Sequence, residues 1–303
     1  MVAPVRWPAV VPGSSTGFGA LREAGPTVRK AGPISMKRLE LFRLAAPKDS
    51  GAHRYPGTVT DVLPPAPAPL PTTLAEASEA GRTLIMGIIN VTPDSFSDGG
   101  RWDTTDLAVA HGRQLRAQGA DLLDVGGEST RPGAARITPA TEQERIIPVV
   151  RALAASGAAV SVDTVHAATA EAAVGAGAVI VNDVSGGLAD PAMHRVVADT
   201  GVVYICQHWR GDPGTMDRLT DYSALGGVVD GVETELRERL DELDAAGAGL
   251  RQVVIDPGLG FAKTHAQSWR LLAATERLRV DLGLPVLIGS SRKRFLAAAV
   301  PGS

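Results

Sequence analysis

Cysteine is almost missing from this 303-residue chain: Cys206 stands alone, which excludes an internal disulfide and fits a reducing compartment. It lies in the apolar run Gly201-Val202-Val203-Tyr204-Ile205-Cys206 and reads as a buried strand residue without a catalytic role. Long hydrophobic runs are missing too. None approaches the roughly 18 residues needed to span a bilayer, and the amino terminus has no compact apolar core of the secretory type, so a cytoplasmic protein without a membrane partner is expected. The formal net charge is -3, with acidic and basic residues interspersed. No basic stripe offers itself to nucleic acid, and any affinity for anions must come from local sites. Apolar residues make up 44% of the chain, enough for a sizeable core in one large α/β domain or two small ones.

Two regions differ in composition. Residues 1–81 are rich in Pro, Ala and Gly, with Leu63-Pro64-Pro65-Ala66-Pro67-Ala68-Pro69-Leu70-Pro71 as the extreme. Proline blocks ladders and helices there, so a largely disordered or irregular extension is expected. Within it, Met36 to Leu44 suits a short strand or helix but has no catalytic spacing. Residues 82–303 form the second region, where short apolar runs alternate with segments of helical periodicity. Strands are expected at 84–90, 121–125, 158–163, 178–182, 202–207, 252–256 and 285–289. Helices are expected over Asp106–Ala117, Thr141–Ala155, Ala167–Ala176, Pro191–Asp199, Leu225–Ala246 and Gln267–Val280. Thr104 or Thr105 and Thr138-Pro139 signal helix starts, and glycines such as Gly119 and Gly201 signal ends.

This alternation suits a TIM-type (β/α)8 barrel or a doubly wound open sheet, and the polar residues discriminate. They follow the strands in turn: Asn90, Asp124 to Arg131, Asp163, Asn182-Asp183, Gln207-His208, Asp256, and Ser290 to Lys293. A barrel points every strand's carboxyl end at one mouth, whereas an open sheet gathers its ligand at one switch point. The barrel is favoured.

The loop after the first of these strands carries chemistry. Asn90, Asp94 and Asp98 supply hard oxygen ligands of the kind Mg²⁺ accepts together with phosphate oxygens. Phe96, set in that polar loop, either folds over something flat or anchors a solvent-exposed loop. In the second loop, Thr130, Arg131 and Pro132 sit among glycines, and an arginine held there suits an anion or an aromatic carboxylate; Glu128 orients Arg131 or makes a surface ion pair. Asp163, Asp256 and Asn182-Asp183 end apolar strands, where carboxylates need donors. A 2-amino-4-oxo-pyrimidine edge would meet one carboxylate through two hydrogen bonds and an Asn amide through another; capping of the next helix is the alternative, and the favoured one for Asp183. Gly258 to Lys263 supplies a turn with a second loop aromatic, Phe261. Ser291-Arg292-Lys293 opens a helix, where positive side chains and a helix amino terminus suit an anion. His208 is either a binding edge or a packed, hydrogen-bonded histidine.

These stretches resemble the dihydropteroate synthase family. Its two signature stretches match Gly87 to Gly100 and Gly119 to Gly133. Further matches are Ser161 to Thr164, Val181 to Gly187, the His208 to Gly211 region, Asp256 to Lys263 and Ser291 to Phe295, so that the likeness covers 84–296 in unbroken order. It implies condensation of 6-hydroxymethyl-7,8-dihydropterin diphosphate with 4-aminobenzoate, giving 7,8-dihydropteroate and pyrophosphate in folate synthesis, and a target for sulfonamides. It implies that Asp163, Asn182, Asp256 and Lys293 hold the pterin, with Arg292 or Met216 near it. Asn90 and Asp98 would meet the Mg²⁺-diphosphate. Phe96, Thr130, Arg131, Pro132, Phe261, Ser291 and Lys293 would surround the aminobenzoate. Asp98, Asp163, Asp256 and Lys293 are the expected catalytic set.

The resemblance also implies an eighth strand carrying an Arg and a His, some tens of residues past the Ser-Arg-Lys helix, and a homodimer built on helices near that end. Neither residue nor strand follows Lys293 here, so the barrel is expected to be incomplete at its carboxyl end, with two unpaired sheet edges, unless something else covers the gap. A truncated, non-catalytic pterin-binding or regulatory chain is one alternative. A pterin-dependent methyltransferase is another, but it has no need of the loops at 90–100 and 128–133.

Overall fold

The computed structural model describes residues 36–40 (as backbone), 82–92, 104–128, 136–212, 214–291 and 293–297. After a first strand, β1 (Met36–Glu40), seven strands alternate with helices: β2 (Leu84–Asn90), α1 (Thr104–Ala117), β3 (Leu122–Gly126), α2 (Pro139–Ala155), β4 (Ala159–Asp163), α3 (Ala167–Gly175) and β5 (Ile180–Asp183). Next come α4 (Met193–Thr200), β6 (Val203–Gln207), α5 (Val228–Ala245), β7 (Val253–Asp256), α6 (His265–Ala273), α7 (Thr275–Leu282), β8 (Val286–Ile288) and a short α8 (Arg294–Ala297). Strands β2 to β8 pair in sequence order, each parallel to the next. The strand expectations therefore hold to within two residues at each end.

The ring closes through β1. It runs antiparallel to both neighbours, with Met36 opposite Gly87 and Leu39 opposite Leu84 on one side, and Arg38 opposite Ile288 and Glu40 opposite Val286 on the other. The edges that an incomplete barrel would leave on β2 and β8 are thus paired by five residues from the amino-terminal region. Backbone N–H and C=O groups at those edges find partners instead of facing water or another chain.

Alternation along each strand sends one set of side chains inward and the other toward the helices. Leu84, Met86, Leu122, Ala159, Ile180, Val203, Ile205, Val254 and Leu287 form one cluster filling the barrel; burying each such side chain stabilises by roughly 1.5–3 kcal/mol. Among the residues of opposite parity, Leu123, Val125, Val160, Val162, Val181 and Tyr204 are fully buried beneath the helices. Helix boundaries follow local chemistry. Thr138 accepts a hydrogen bond from Thr141 N at 3.2 Å, with Pro139 starting α2, and Gly201, at φ 65°, ends α4 in the left-handed conformation. One expected helix, Gln267–Val280, is two: the chain breaks at Ala274, where Thr275 Oγ1 donates back to the Leu272 carbonyl at 2.8 Å. Among the described residues no helix is long and apolar enough to cross a membrane.

If β1 closes the ring, removing one of its N–H groups will show. Leu39→Pro deletes a ladder donor and is expected to cost about 1–3 kcal/mol, lowering the thermal midpoint by roughly 5 °C. An unchanged midpoint in calorimetry would mean that the strand is not part of the folded barrel.

Candidate functional site

Strand register gathers the polar strand ends on one level. Asn90 lies opposite Gly126, Gly126 opposite Asp163, and Asp163 opposite Asn182; further round, Gln207 lies opposite Asp256. Asn90, Asn182, Gln207 and Asp256 each follow an inward-facing apolar residue at a spacing of two (Ile88, Ile180, Ile205 and Val254), and Gly126 and Asp163 follow the buried polar pair Asp124 and Ser161, so the same alternation that fills the barrel directs this level into its mouth. Asn182 and Asp256 are almost fully buried, whereas Asn90 is exposed. Gly126 lies beside the Asp163 side chain, which a Cβ there would meet at an ordinary contact distance of 3.4 Å.

Below this level lies a buried carboxylate whose role the sequence did not reveal. Asp124, 1% exposed, accepts from Ser161 Oγ at 2.7 Å on Oδ1 and from Asn182 Nδ2 at 2.9 Å on Oδ2. Because the Asn182 amide donates through its nitrogen to Asp124, its oxygen is the acceptor presented elsewhere. Asp256 Oδ1 accepts from Gly258 N at 2.7 Å, which ties the carboxylate to the start of the next loop. Asp183 points the other way. Its carboxylate accepts from Ser185 N and Oγ, Gly187 N and Tyr204 Oη beneath the helices, and burial raises its affinity for a proton against those bonds. Asp183 thus serves neither a ligand nor the next helix, which begins at Met193 with Ala192 at its N-cap; it ties down the turn that follows β5. Cys206, fully buried, has its thiol pushed up by burial and is inert packing.

The loop after β7 reaches the end of β8. Phe261 lies with its ring centroid 3.9 Å from Lys293 Nζ, and Lys293 precedes α8, whose Phe295 packs edge-on against Trp269 of α6 with ring centroids 5.2 Å apart. Ser291 and Lys293 are half-buried beside that turn. Met216 is buried in a short turn after β6. Glu128 accepts from Arg136 Nη1 at 2.9 Å and from Ile137 N at 3.2 Å. Asp94, Phe96, Asp98, Thr130, Arg131, Pro132 and Arg292 lie outside the described residues.

His208 resolves as a packed histidine. It is 1% exposed; its Nε2 is 2.6 Å from Glu235 Oε2 and its Nδ1 is 2.9 Å from Lys263 Nζ. Burial and the nearby Lys263 charge push the imidazole down to about 3, so it is neutral, with Nε2–H donating to Glu235 and Nδ1 accepting from Lys263. Arg210 holds Glu235 through Nε and Nη2 and stacks on Tyr222 at 3.7 Å. Neither Glu235 nor Lys263 was expected; Glu235 is on α5, 27 residues from its partner His208, and no local pattern announces so distant a pair.

A barrel whose mouth gathers amide and carboxylate groups and whose rim carries an aromatic ring and a lysine defines a class: an α/β-barrel enzyme binding a flat, N–H-rich heterocycle. The chain belongs to the pterin-binding enzyme family, whose model, described as "Pterin binding enzyme", matches residues 86–302. It is 50% identical over 221 residues to the dihydropteroate synthase of Mycobacterium leprae, covering 72% of this chain and 76% of that one. Among solved structures it is similar to Xanthomonas albilineans dihydropteroate synthase with 4-aminobenzoic acid (TM-score 0.65, 44% identity, covering 74% of this chain and 81% of that one). The same enzyme in complex with 7,8-dihydropteroate superposes with TM-score 0.63 at 41% identity, covering 72% and 76%.

The ionic cluster makes an acid-range prediction. Burial alone raises the Glu235 carboxyl, but hydrogen bonds from His208 and Arg210 outweigh it and hold the group at about 2, against an ordinary 4.5. A carboxyl held below its unfolded value stabilises the fold above that value, and this is lost as pH falls through the folded one. The stability gap between the wild type and Glu235→Gln should therefore be full at pH 5 and shrink toward pH 2 in urea titrations. A gap independent of pH would contradict the pairing.

Proposed function

We propose that this protein is a dihydropteroate synthase, joining 6-hydroxymethyl-7,8-dihydropterin diphosphate to 4-aminobenzoate with release of pyrophosphate in folate biosynthesis. The observation that carries the reading is the single level formed by Asn90, Gly126, Asp163 and Asn182 across four adjacent strands, with buried Asp256 at the end of β7. A pterin carries adjacent donors on one edge, the pattern that carboxylates and an Asn oxygen accept. Residues 82–303 are the pterin-binding barrel in this reading, and 1–81 an extension that contributes β1.

Asp163, Asn182 and Asp256 would hold the pterin, with Met216 or Arg292 near it. Phe261, Ser291 and Lys293 would border the aminobenzoate together with Phe96, Thr130, Arg131 and Pro132. The oxygen-only set of Asn90 and Asp98 fits Mg²⁺, which when bound would neutralise charge on the diphosphate. The bond from the pterin methylene to the diphosphate oxygen breaks first, its electron pair leaving with the diphosphate. Positive charge on the methylene spreads into the ring, where the Asp163 and Asp256 carboxylates stabilise it. The aniline nitrogen of 4-aminobenzoate then forms the new C–N bond and sheds a proton, so no strong base is needed. Lys293, against the Phe261 face, is suited to the carboxylate of the aminobenzoate or to the pterin carbonyl. Sulfonamides, which copy the aminobenzoate, would compete there. We place the protein in the cytoplasm, acting on small molecules as a homodimer; Trp269 and Val280, exposed on α6 and α7, supply apolar surface for such contact.

The test is chemical. Purified protein with Mg²⁺, the pterin diphosphate and labelled 4-aminobenzoate should yield labelled dihydropteroate, inhibited by a sulfonamide, and Asp163→Asn should lower turnover on the order of 10²-fold, as loss of one electrostatic stabiliser does. Binding of the pterin without product from folded protein would favour a non-catalytic pterin-binding chain, and unchanged turnover in the variant would remove Asp163 from the mechanism.

A further inference from the structure

Lys263 belongs to none of the substrate-facing sets above, yet it is 7% exposed and sits where two loops of the barrel mouth meet. Its Nζ donates to the Phe261 carbonyl at 2.8 Å and to His208 Nδ1 at 2.9 Å. His208 follows β6 and is fastened through Glu235 to α5. The Lys263 ammonium thus bridges the loop after β7 to the strand end before it and to a helix behind both.

The loop so held is under conformational demand. Gly258 and Gly260 have φ of 66° and 77°, and Ala262, at 49°, is the one non-glycine residue with positive φ among the described residues. Holding a residue with a Cβ in that region costs on the order of 1 kcal/mol or more, and it persists where the surroundings over-determine it. Here they do: the Ala262 carbonyl accepts from Tyr222 Oη at 3.2 Å, and Tyr222 is itself pinned under the Arg210 guanidinium at 3.7 Å. Two tethers, from Lys263 to the Phe261 carbonyl and from Tyr222 to the Ala262 carbonyl, therefore hold the chain at Phe261, whose ring faces Lys293 Nζ at 3.9 Å.

We propose that Lys263 is a positioning residue for the aminobenzoate side of the site: by clamping the Phe261 carbonyl to His208 it sets the Phe261 ring against Lys293. The proposal rests on the synthase reading for its substrate but not for its geometry. The electrostatics agree with a structural clamp. Burial lowers the Lys263 ammonium to about 7, with Arg210 and Lys293 acting in the same direction and Asp256 and Glu235 opposing. Charged or neutral, the amine keeps N–H groups to donate to both acceptors.

The experiment compares the wild type with Lys263→Met, which keeps the unbranched stem and deletes the donors, and with Tyr222→Phe, which cuts only the bond to Ala262. For Lys263→Met, KM for 4-aminobenzoate is expected to rise about tenfold while KM for the pterin diphosphate changes less than about threefold, in line with losing one aromatic–cation contact. Combination with Phe261→Ala should add little, because both changes remove the same ring placement. Tyr222→Phe should move the same constant in the same direction by less, which keeps the test in hand if Lys263→Met does not fold. Hydrogen exchange of amides 258–263, measured without substrate, should quicken in either variant. Equal increases in both KM values, full additivity with Phe261→Ala, or unchanged exchange in 258–263 would overturn the proposal. If the wild type makes no dihydropteroate, the synthase reading fails separately, and exchange still decides the clamp.

Discussion

A carboxylate taken out of water costs several kcal/mol unless donors meet it, and the mouth of this barrel is arranged around that constraint. Asp124 lies at the floor of the mouth, 1% exposed, and accepts from Ser161 and Asn182. In meeting its own need for donors it fixes which way the Asn182 amide turns. That in turn decides what a ligand above it must bring: the amide offers oxygen, and so a ligand must offer N–H. Asp256, tied to Gly258 N, repeats the arrangement at the end of β7. Parallel pairing brings these groups to one level, so the fold supplies the convergence and the buried charges set which polar atoms are presented there.

A second polar system joins the loops to a helix. His208, Glu235, Arg210, Tyr222 and Lys263 join the loops after β6 and β7 to α5 through bonds of 2.6 to 3.2 Å. Buried ionic groups of this kind are weak sources of net stability, but breaking one leaves an uncompensated partner. Here they enforce one loop conformation, including the positive φ of Ala262. The cost in desolvation falls on the cluster, while the benefit appears as a fixed aromatic ring at the rim.

Much of this was legible in the residues. Parallel-sheet strands buried on both faces announce themselves as short apolar runs, and the polar residue closing each run marks the mouth, which is why Asn90, Asp163, Asn182 and Asp256 stood out. Asp183 shows the limit of that logic. It is adjacent to Asn182, but period-two alternation sends it to the helix side, where Tyr204 and Ser185 take up its carboxylate. Asp124 was hidden for a related reason: it precedes a glycine-rich loop and reads as part of it, although its side chain belongs to the interior two residues below the rim. Barrel closure by β1 was not legible. Met36 to Glu40 lies among Pro- and Gly-rich sequence, and an isolated five-residue run has no periodicity from which to infer partners β2 and β8. The clamp at Lys263 depends on contacts 55 and 27 residues apart, which only the closed ring brings together.

Selection of a heterocycle by the donors on its edge would show in calorimetric titration with 6-hydroxymethylpterin and with an analogue lacking its 2-amino group. The analogue should bind at least about tenfold more weakly, because a buried acceptor loses its partner. Equal affinities for the two would contradict it.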